Sequence, residues 1–470
     1  MENTEQEKNK VTELKEALFA EKRHAAQRMS DNDAKACELF CGGYMDFMNC
    51  CKTEREAVRF FTDELDAKGY VPFRPGMKLN AGDKVYLNNR GKAVILATIG
   101  KAPVTDGVRL CAAHIDSPRL DLKQNPLYES EEIGYFKTHY YGGIKKYQWT
   151  AIPLSLHGVI IRKDGKKVEV RLGEEKDEPV FYITDLLPHL ATEQMKRTLA
   201  QGIKGEELNI VIGSMPFGTD KGSELVKLNL LRLLNEKYGI VESDFLSAEL
   251  EAVPAFPAKE VGFDRSMIGA YGHDDRVCSY PAFRAALDVT APLHTTVTIL
   301  TDKEETGSDG NTGLCSSYLK YFLMDLAECF GENGRHMMSA SQCLSADVNA
   351  AFDPTFPDVL EKNNCAYLNH GVCVTKFTGA RGKSGTSDAS AEFVGTVRRL
   401  LDGAGVIWQT GELGKVDMGG GGTVAAYIAN LDIDTIDIGV PVLSMHAPYE
   451  LVAKTDVWSA YCAFRAFMES

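Results

Sequence analysis

The hydrophobic pattern changes character twice along the chain. Over residues 8–69 apolar positions recur with a helical period. They do so through VTELKEALFAEK and again through EREAVRFFTDELDAKG, where Gly69 suits a helix C-cap. Three strand-like runs follow: KVYLNN, AVILATIG and GVRLCAAHID. Turn residues separate them at Asn89-Arg90-Gly91 and from Pro103 to Gly107. AVILAT and VRLCAA are almost continuously apolar, which predicts central strands covered on both faces. From about residue 126 the pattern turns hairpin-like. TAIPLSLHGVIIRKDGKKVEVRLG predicts two strands about a Lys163-Asp164-Gly165 turn, ITDLLPHLATEQMKRTLAQ a helix, LNIVIGSM a strand and KLNLLRLLNEKYG a helix. Near residue 262 helices and strands alternate again. CSYPAFRAALDVT, SSYLKYFLMDLAECFG, SDASAEFVGTVRRLLDGAG, TVAAYIANL and TDVWSAYCAFRAFMES read as helices. TTVTILTDKEE, MMSASQCLSADVNA, VIWQTGE and TIDIGVPVLSMH read as strands. This order predicts an α/β protein with a doubly wound, mostly parallel sheet built from residues 1–125 and 262–470. A β-rich domain of residues 126–261 is inserted into it.

Composition narrows the function classes. At 470 residues the chain is long enough for two or three domains. It carries 52 Lys and Arg against 66 Asp and Glu, a formal net charge of −14, which argues against nucleic acid or an anionic membrane as the main partner. No apolar run approaches the ~18 residues that span a bilayer. The first residues, MENTEQEKNKVTELKEALFAEKRH, lack the apolar core of a secretory signal, so a cytoplasmic protein is expected. The twelve cysteines are scattered without paired CxxC motifs. They read as small, reduced core residues rather than zinc ligands or disulfides.

Acidic and histidine side chains gather where the apolar strands stop. His114 and Asp116 end VRLCAAHID, Asp274 and Asp275 precede a helix in YGHDDRVCS, and Glu304 and Glu305 end TVTILTDKEE. Asp347 follows the strand-like LSA, and His446 follows GVPVLSM. Each alone has an ordinary reading: a hydrogen-bonded loop end, a helix N-cap, solvated loop acids. Together they form a set. Carboxyl ends of strands line the ligand crevice of open α/β sheets, and oxygen and nitrogen groups of this kind suit two divalent metals sharing a carboxylate.

HIDSP, DDR, DKEETGS, SADVNAAFDP and SMHAPYE, in this order, resemble the M18 family of metallo-aminopeptidases, the aspartyl aminopeptidase family. YYGGIKKYQW, PLSLHGVIIRKDG and LLPHLA resemble that family's inserted domain, and MGGGGTVAAYIAN its Gly/Thr-rich stretch. The likeness runs from about residue 35 to 468. It implies a di-zinc exopeptidase fold whose inserted domain serves dimerisation. It also implies two zinc ions per chain, held by His114 and Asp347 on one side and Glu305 and His446 on the other. Asp274 would bridge them, with Asp275 as the competing choice. Glu304 would be the general base, and Asp116 would orient His114. His189, in LLPHLA, matches a family histidine and reads as a structural or assembly residue.

The implied activity is removal of the N-terminal residue from peptides, within a homododecamer of dimers enclosing a chamber. Two positions depart from the aspartyl-specific pattern: Asp353-Pro354 stands where His-Pro is usual, and His370-Gly371 where Lys-Gly is usual. Both are expected near the substrate side chain, so a preference for acidic residues does not follow. Two rival readings keep the same frame: an amidase or deacylase of small N-acyl compounds, and a catalytically idle self-assembling shell.

Overall fold

Every residue of Ala93–Thr98 is buried, but alternate side chains enter different cores. Val94 and Leu96 join one cluster, Ile95 and Ala97 the other. Cys111 and Ala113 likewise divide from Leu110 and Ala112. The period of two sends successive side chains to opposite faces, so a continuous apolar run means a strand covered on both sides. One face packs under helices Asp31–Cys50, Glu54–Ala67, His273–Asp288, Ala391–Gly403 and Lys454–Glu469. The other packs under Tyr318–Glu328, Gly334–Ser339 and Ala425–Ala429.

The computed structural model describes residues 2–19, 24–218 and 222–470. Among these, the largest sheet has nine strands, in the order Val71–Pro72, Lys84–Asn89, Ala93–Thr98, Thr296–Thr301, Arg109–His114, Gln342–Ala346, Asp434–Gly439, Val372–Thr375 and Trp408–Thr410. Its centre, from Thr296–Thr301 to Asp434–Gly439, is parallel. Antiparallel pairs flank the centre on both sides. A five-stranded sheet joins Lys259–Val261, Met267–Ala270, Glu450–Ala453, Pro441–Leu443 and Asn349–Ala350.

The intervening chain makes a seven-stranded sheet of its own. It begins with Arg119–Ser130 and ends with Ala248–Pro254, which pairs with both Arg119–Ser130 and Pro153–Ile161. Phe136, Trp149, Leu154, Ile183 and Leu250 lie in its core. Its first strand starts before residue 126, and Lys259–Val261 pairs outside it. A buried ionic cluster ties this sheet to the start of helix Glu54–Ala67. His157 lies 2.8 Å from Glu56 and 3.0 Å from Glu174, and Lys52 lies 2.9 Å from Glu174. No helix among the described residues is long and apolar enough to cross a membrane. All twelve cysteines are unpaired, most of them buried.

Two sequence expectations need correction. The helix expected over ITDLLPHLATEQMKRTLAQ is a series of 3-10 turns at Pro188–Leu190, Gln194–Lys196 and Leu199–Gln201. Pro188 has no amide to donate and holds Leu187 extended, at φ −67° and ψ 153°, so a helix cannot run through it. The apolar spacing there is not a core stripe, since Leu186, Leu187, Leu190, Met195 and Leu199 are exposed. Residues 337–339 are helical, within Gly334–Ser339, and the following strand starts only at Gln342. The helical stretch of residues 8–69 is three helices broken at Ser30 and Thr53, whose side chains cap the helices that follow. Its residues 20–23 lie outside the described residues.

Gly439 shows how closely the central strands approach the loop that follows Ala346. A Cβ built there would lie 1.7 Å from the carbonyl oxygen of Asp347. Gly439→Ala should therefore destabilise the protein by roughly 1–3 kcal/mol, the usual cost of overpacking. Urea unfolding measures this, and an unchanged midpoint would show that the Asp347 loop yields without strain.

Candidate metal centre

Neighbouring parallel strands of the large sheet end on the same side, and three of them deliver charged groups to one crevice. His114 is the last residue of Arg109–His114. Thr296–Thr301 leads into the turn Glu304–Thr306, and Gln342–Ala346 leads directly into Asp347. Asp274 comes from the start of helix His273–Asp288. His446 follows Pro441–Leu443 of the five-stranded sheet. Side chains separated by up to 332 positions in sequence therefore meet, as expected at the carboxyl ends of parallel strands.

Asp274 lies at the middle of the cluster. Its Oδ1 is 3.1 Å from His114 Nε2, and its Oδ2 is 3.1 Å from His446 Nε2. His114 Nε2 is also 3.9 Å from Glu304 and 3.8 Å from Asp347, and His446 Nε2 is 3.5 Å from Glu305. Asp275 faces elsewhere. Its Oδ2 accepts the His114 backbone amide at 3.3 Å, so the geometry favours Asp274 over Asp275 as the group between the imidazoles.

The outer nitrogens of both imidazoles are engaged. His446 Nδ1 donates to the Gly143 carbonyl at 2.7 Å, and His114 Nδ1 to the Asp116 carbonyl at 3.1 Å, with the Asp116 carboxylate 3.3 Å away. These partners assign a proton to each Nδ1 and direct each Nε2 into the cluster, where the neutral ring offers its lone pair. Asp116 does more than the sequence suggested. Its Oδ1 accepts the Glu304 amide and its Oδ2 the Glu305 amide, each at 3.2 Å, so it also holds the turn that carries both glutamates.

The donor set fits a divalent cation. His114 Nε2, Asp274 Oδ1 and Glu305 Oε1 are buried without a hydrogen-bond partner, although they lie close to one another. Close approach without hydrogen-bond alignment is the geometry of atoms converging on a common point. Ligand atoms of His114, Glu304 and Asp347 lie within 4.8 Å of each other, as do those of His114, Asp274 and Glu305. Imidazole nitrogen with carboxylate oxygen, and no thiol, is a zinc-compatible set. Exposure is uneven across the cluster. The His446 and Glu304 side chains are 33% and 21% exposed, against 1% for His114 and 5% for Asp274. A cavity of ≈570 Å³ adjoins His446, with Phe356, Leu360, Val442 and Leu443 among its apolar walls. A second, of ≈400 Å³, adjoins Asp347, with Thr378, Arg381 and Lys383 in its wall.

The electrostatics are those of crowded acids. Burial, then the neighbouring Asp347, pushes Glu304 up to about 8. Burial and Asp274 push Glu305 well above the carboxylate range, and burial also raises Asp275 and Asp347. Burial acts the same way on Asp274, but the two imidazoles outweigh it and hold its carboxyl low. Burial would lower both histidines. The carboxyl groups of Asp116, Asp274 and Asp347 instead raise His114, and Asp274 and Glu305 bring His446 to about 10.

All seven expected site residues meet here, and some expected contributors do not. Asp353 lines the larger cavity, but His370 lines neither. It packs against Tyr367 and His24, because Asp456 takes the Asn369 and Gly371 amides and ties that turn to the C-terminal helix. His189 is exposed beside Leu187 and Leu190. Two supports escaped the sequence reading. Glu450 accepts the amides of Asp274 and His446, at 3.1 and 2.7 Å, and Ser117 donates to the Asp274 carbonyl at 2.6 Å. Both lie inside motifs singled out for their ligands, SMHAPYE and HIDSP, as neighbours of the groups they fix.

Residues 47–468 match the family described as Aminopeptidase I zinc metalloprotease (M18). A protein of Clostridium acetobutylicum named probable M18 family aminopeptidase 1 is 47% identical over 463 residues, covering 96% of this chain and 99% of its own. The crystal structure of an M18-family aminopeptidase from Thermotoga maritima superposes with a TM-score of 0.91 at 44% identity, covering 96% of this chain and 99% of that one. A structure titled as the S. cerevisiae mApe1 dodecamer shares the fold more distantly. Its TM-score is 0.73 at 23% identity, over 92% of this chain and 97% of that one.

The crowded acids set a pH dependence. Glu304 binds its proton more tightly folded than unfolded, so its contribution to stability is full below about 4.5 and lost as pH rises through about 8. His446 acts in the same sense, from about 6.5 to about 10. Divalent ions need ionised carboxylates and neutral imidazoles, so their binding releases protons. The rise in melting temperature that zinc gives chelator-stripped protein should grow from about pH 5 to pH 8. Calorimetry with and without zinc tests this, and an increment independent of pH would remove these groups from the metal site.

Proposed function

Since the chain belongs to the M18 family of zinc metalloproteases and is an aminopeptidase, we propose that it removes N-terminal residues from peptides at a two-metal centre built on Asp274. The observation that carries this reading is the placement of the two Asp274 oxygens, each 3.1 Å from the Nε2 of a different histidine. His114 and Asp347 would hold one divalent ion and Glu305 and His446 the other, with Asp274 between them. Zinc bound there would supply Lewis acidity toward the scissile carbonyl and make a neighbouring water more acidic.

The remaining roles belong to the chain's own side chains. Glu304 reaches the open side of the cluster, where water and substrate arrive. Burial and its acidic neighbours keep its carboxyl basic while cations oppose them, which suits a group that takes a proton from water near neutral pH and returns it to the leaving amine. Asp116 holds the His114 ring through its backbone carbonyl and the Glu304–Glu305 turn through its carboxylate, so the base and a ligand are set by one residue. The acidic lining of the crevice would attract the free α-amino group of a peptide, which restricts cleavage to its first residue.

The domain assignment follows the sheets. The nine- and five-stranded sheets would form a catalytic domain of the di-zinc exopeptidase type, from residues 1–125 and 262–470. The seven-stranded sheet would form the inserted, dimer-making domain, from about 126 to 261. The exposed Leu186, Leu187, Leu190, Met195 and Leu199 of the insert give it an apolar surface of the kind that marks interfaces. The dodecameric fold relative supports a homododecamer of dimers, in which His189 would lie at a contact between copies. Twelve unpaired cysteines support a cytoplasmic location.

Glu304→Gln should keep the fold and the bound metal and lose roughly 10²–10⁴-fold in kcat on an aminoacyl arylamide, the usual worth of a general base. Loss of metal in that variant would transfer the base role to Glu305. Light scattering on the purified protein should give a mass near twelve chains. A fully active monomer at micromolar concentration would refute the assembly and leave the chemistry standing.

A further inference from the structure

Strand Ile133–Tyr141 belongs to the seven-stranded sheet, but its end enters the metal centre. The Tyr141 hydroxyl donates to Asp116 Oδ2 at 2.8 Å. The next residue, Gly142, has φ +76°, and a Cβ there would lie 3.1 Å from Glu305 Oε2 and 3.3 Å from Pro118. The one after it, Gly143, accepts the His446 Nδ1 proton. Three successive residues therefore touch Asp116, Glu305 and His446.

Tyr141 is itself held in place. The Arg119 guanidinium stacks over its ring at 3.8 Å, and Arg119 is in turn gripped by Glu54, Asp121 and Glu251, at 3.4, 2.8 and 3.4 Å. Glu54 starts the helix Glu54–Ala67, and Glu251 lies on the closing strand Ala248–Pro254. The hydroxyl is thus fixed from the seven-stranded sheet and a helix of the other part. It meets a carboxylate whose remaining contacts are the His114 ring and the Glu304 and Glu305 amides.

We infer that Tyr141 is a positioning residue of the metal centre. Its hydroxyl fixes the Asp116 carboxylate, and through Asp116 the His114 imidazole and the Glu304–Glu305 turn. The inference rests on the ligand assignment proposed above. Partners of this kind, one bond behind a metal-binding imidazole, typically change metal affinity or activity by about 10–100-fold when removed.

The test uses Tyr141→Phe, Asp116→Asn and the double variant in the full-length protein. Zinc affinity is read by competition with a chromogenic chelator, and kcat and KM on an aminoacyl arylamide at saturating zinc. Tyr141→Phe should weaken zinc binding about 10-fold or more and lower kcat with KM unchanged. The double variant should bind zinc no more weakly than Asp116→Asn, because both act through one carboxylate. Unchanged zinc affinity in Tyr141→Phe, even with a lowered melting temperature, would overturn the inference, as would additive losses in the double variant. Unchanged zinc affinity in Asp116→Asn would also overturn the inference and leave the ligand assignment standing, because the His114 ring keeps its bond to the Asp116 backbone carbonyl.

Discussion

Acidic side chains crowded into one low-dielectric crevice are the constraint on which the rest of this structure depends. Glu304, Glu305, Asp347 and Asp275 are all pushed upward, and burial is the first cause for each. A free chain would scatter such groups into water. They stay together because Glu304, Glu305 and Asp347 follow two parallel strands that flank the one ending at His114, at a spacing set by backbone hydrogen bonds. Those strands are locked by packing on both faces, in two separate cores. The cost of holding like charges together is therefore met by the sheet, and it is recovered where cations bind.

How much of this could be read in the sequence depended on how local each signal was. The central strands were legible, because a two-sided strand writes itself as an unbroken apolar run such as AVILAT. Most of the proposed ligands were legible for a related reason: His114, Glu305, Asp347 and His446 stand just where or beyond where such runs stop. His370 was misplaced because its surroundings are set by Asp456, far along the chain, and no local pattern records that capture. The expected helix around His189 failed for the opposite reason. Its spacing was locally sound, but Pro188 breaks it, and its leucines face outward. The supporting groups were the hardest to see. Glu450 and Ser117 act through backbone amides and carbonyls, whose positions exist only after folding.

Tyr141 is a further case of the same kind. Nothing in YYGG announces a hydrogen bond to a carboxylate 25 positions earlier. The seven-stranded sheet branches from the chain immediately after the HIDSP motif and sends its second strand back to it. The two parts are thus joined at the chemistry as well as at the ionic cluster of Lys52, Glu56, His157 and Glu174 and at the Glu54–Arg119–Glu251 contacts.

The return of the strand ending at Tyr141 to the site gives the enzyme a form of self-inspection. A copy whose second sheet is unfolded or undocked lacks the Gly143 carbonyl and the Tyr141 hydroxyl at once, so the His446 ring and the Asp116 carboxylate each lose a partner. With the site residues in the roles proposed above, such a copy would be inert rather than an unregulated exopeptidase trimming whatever chain ends it meets. Competence to cut would be coupled in this way to completion of the fold, and an immature or damaged molecule would be silenced by its own architecture without any separate inhibitor.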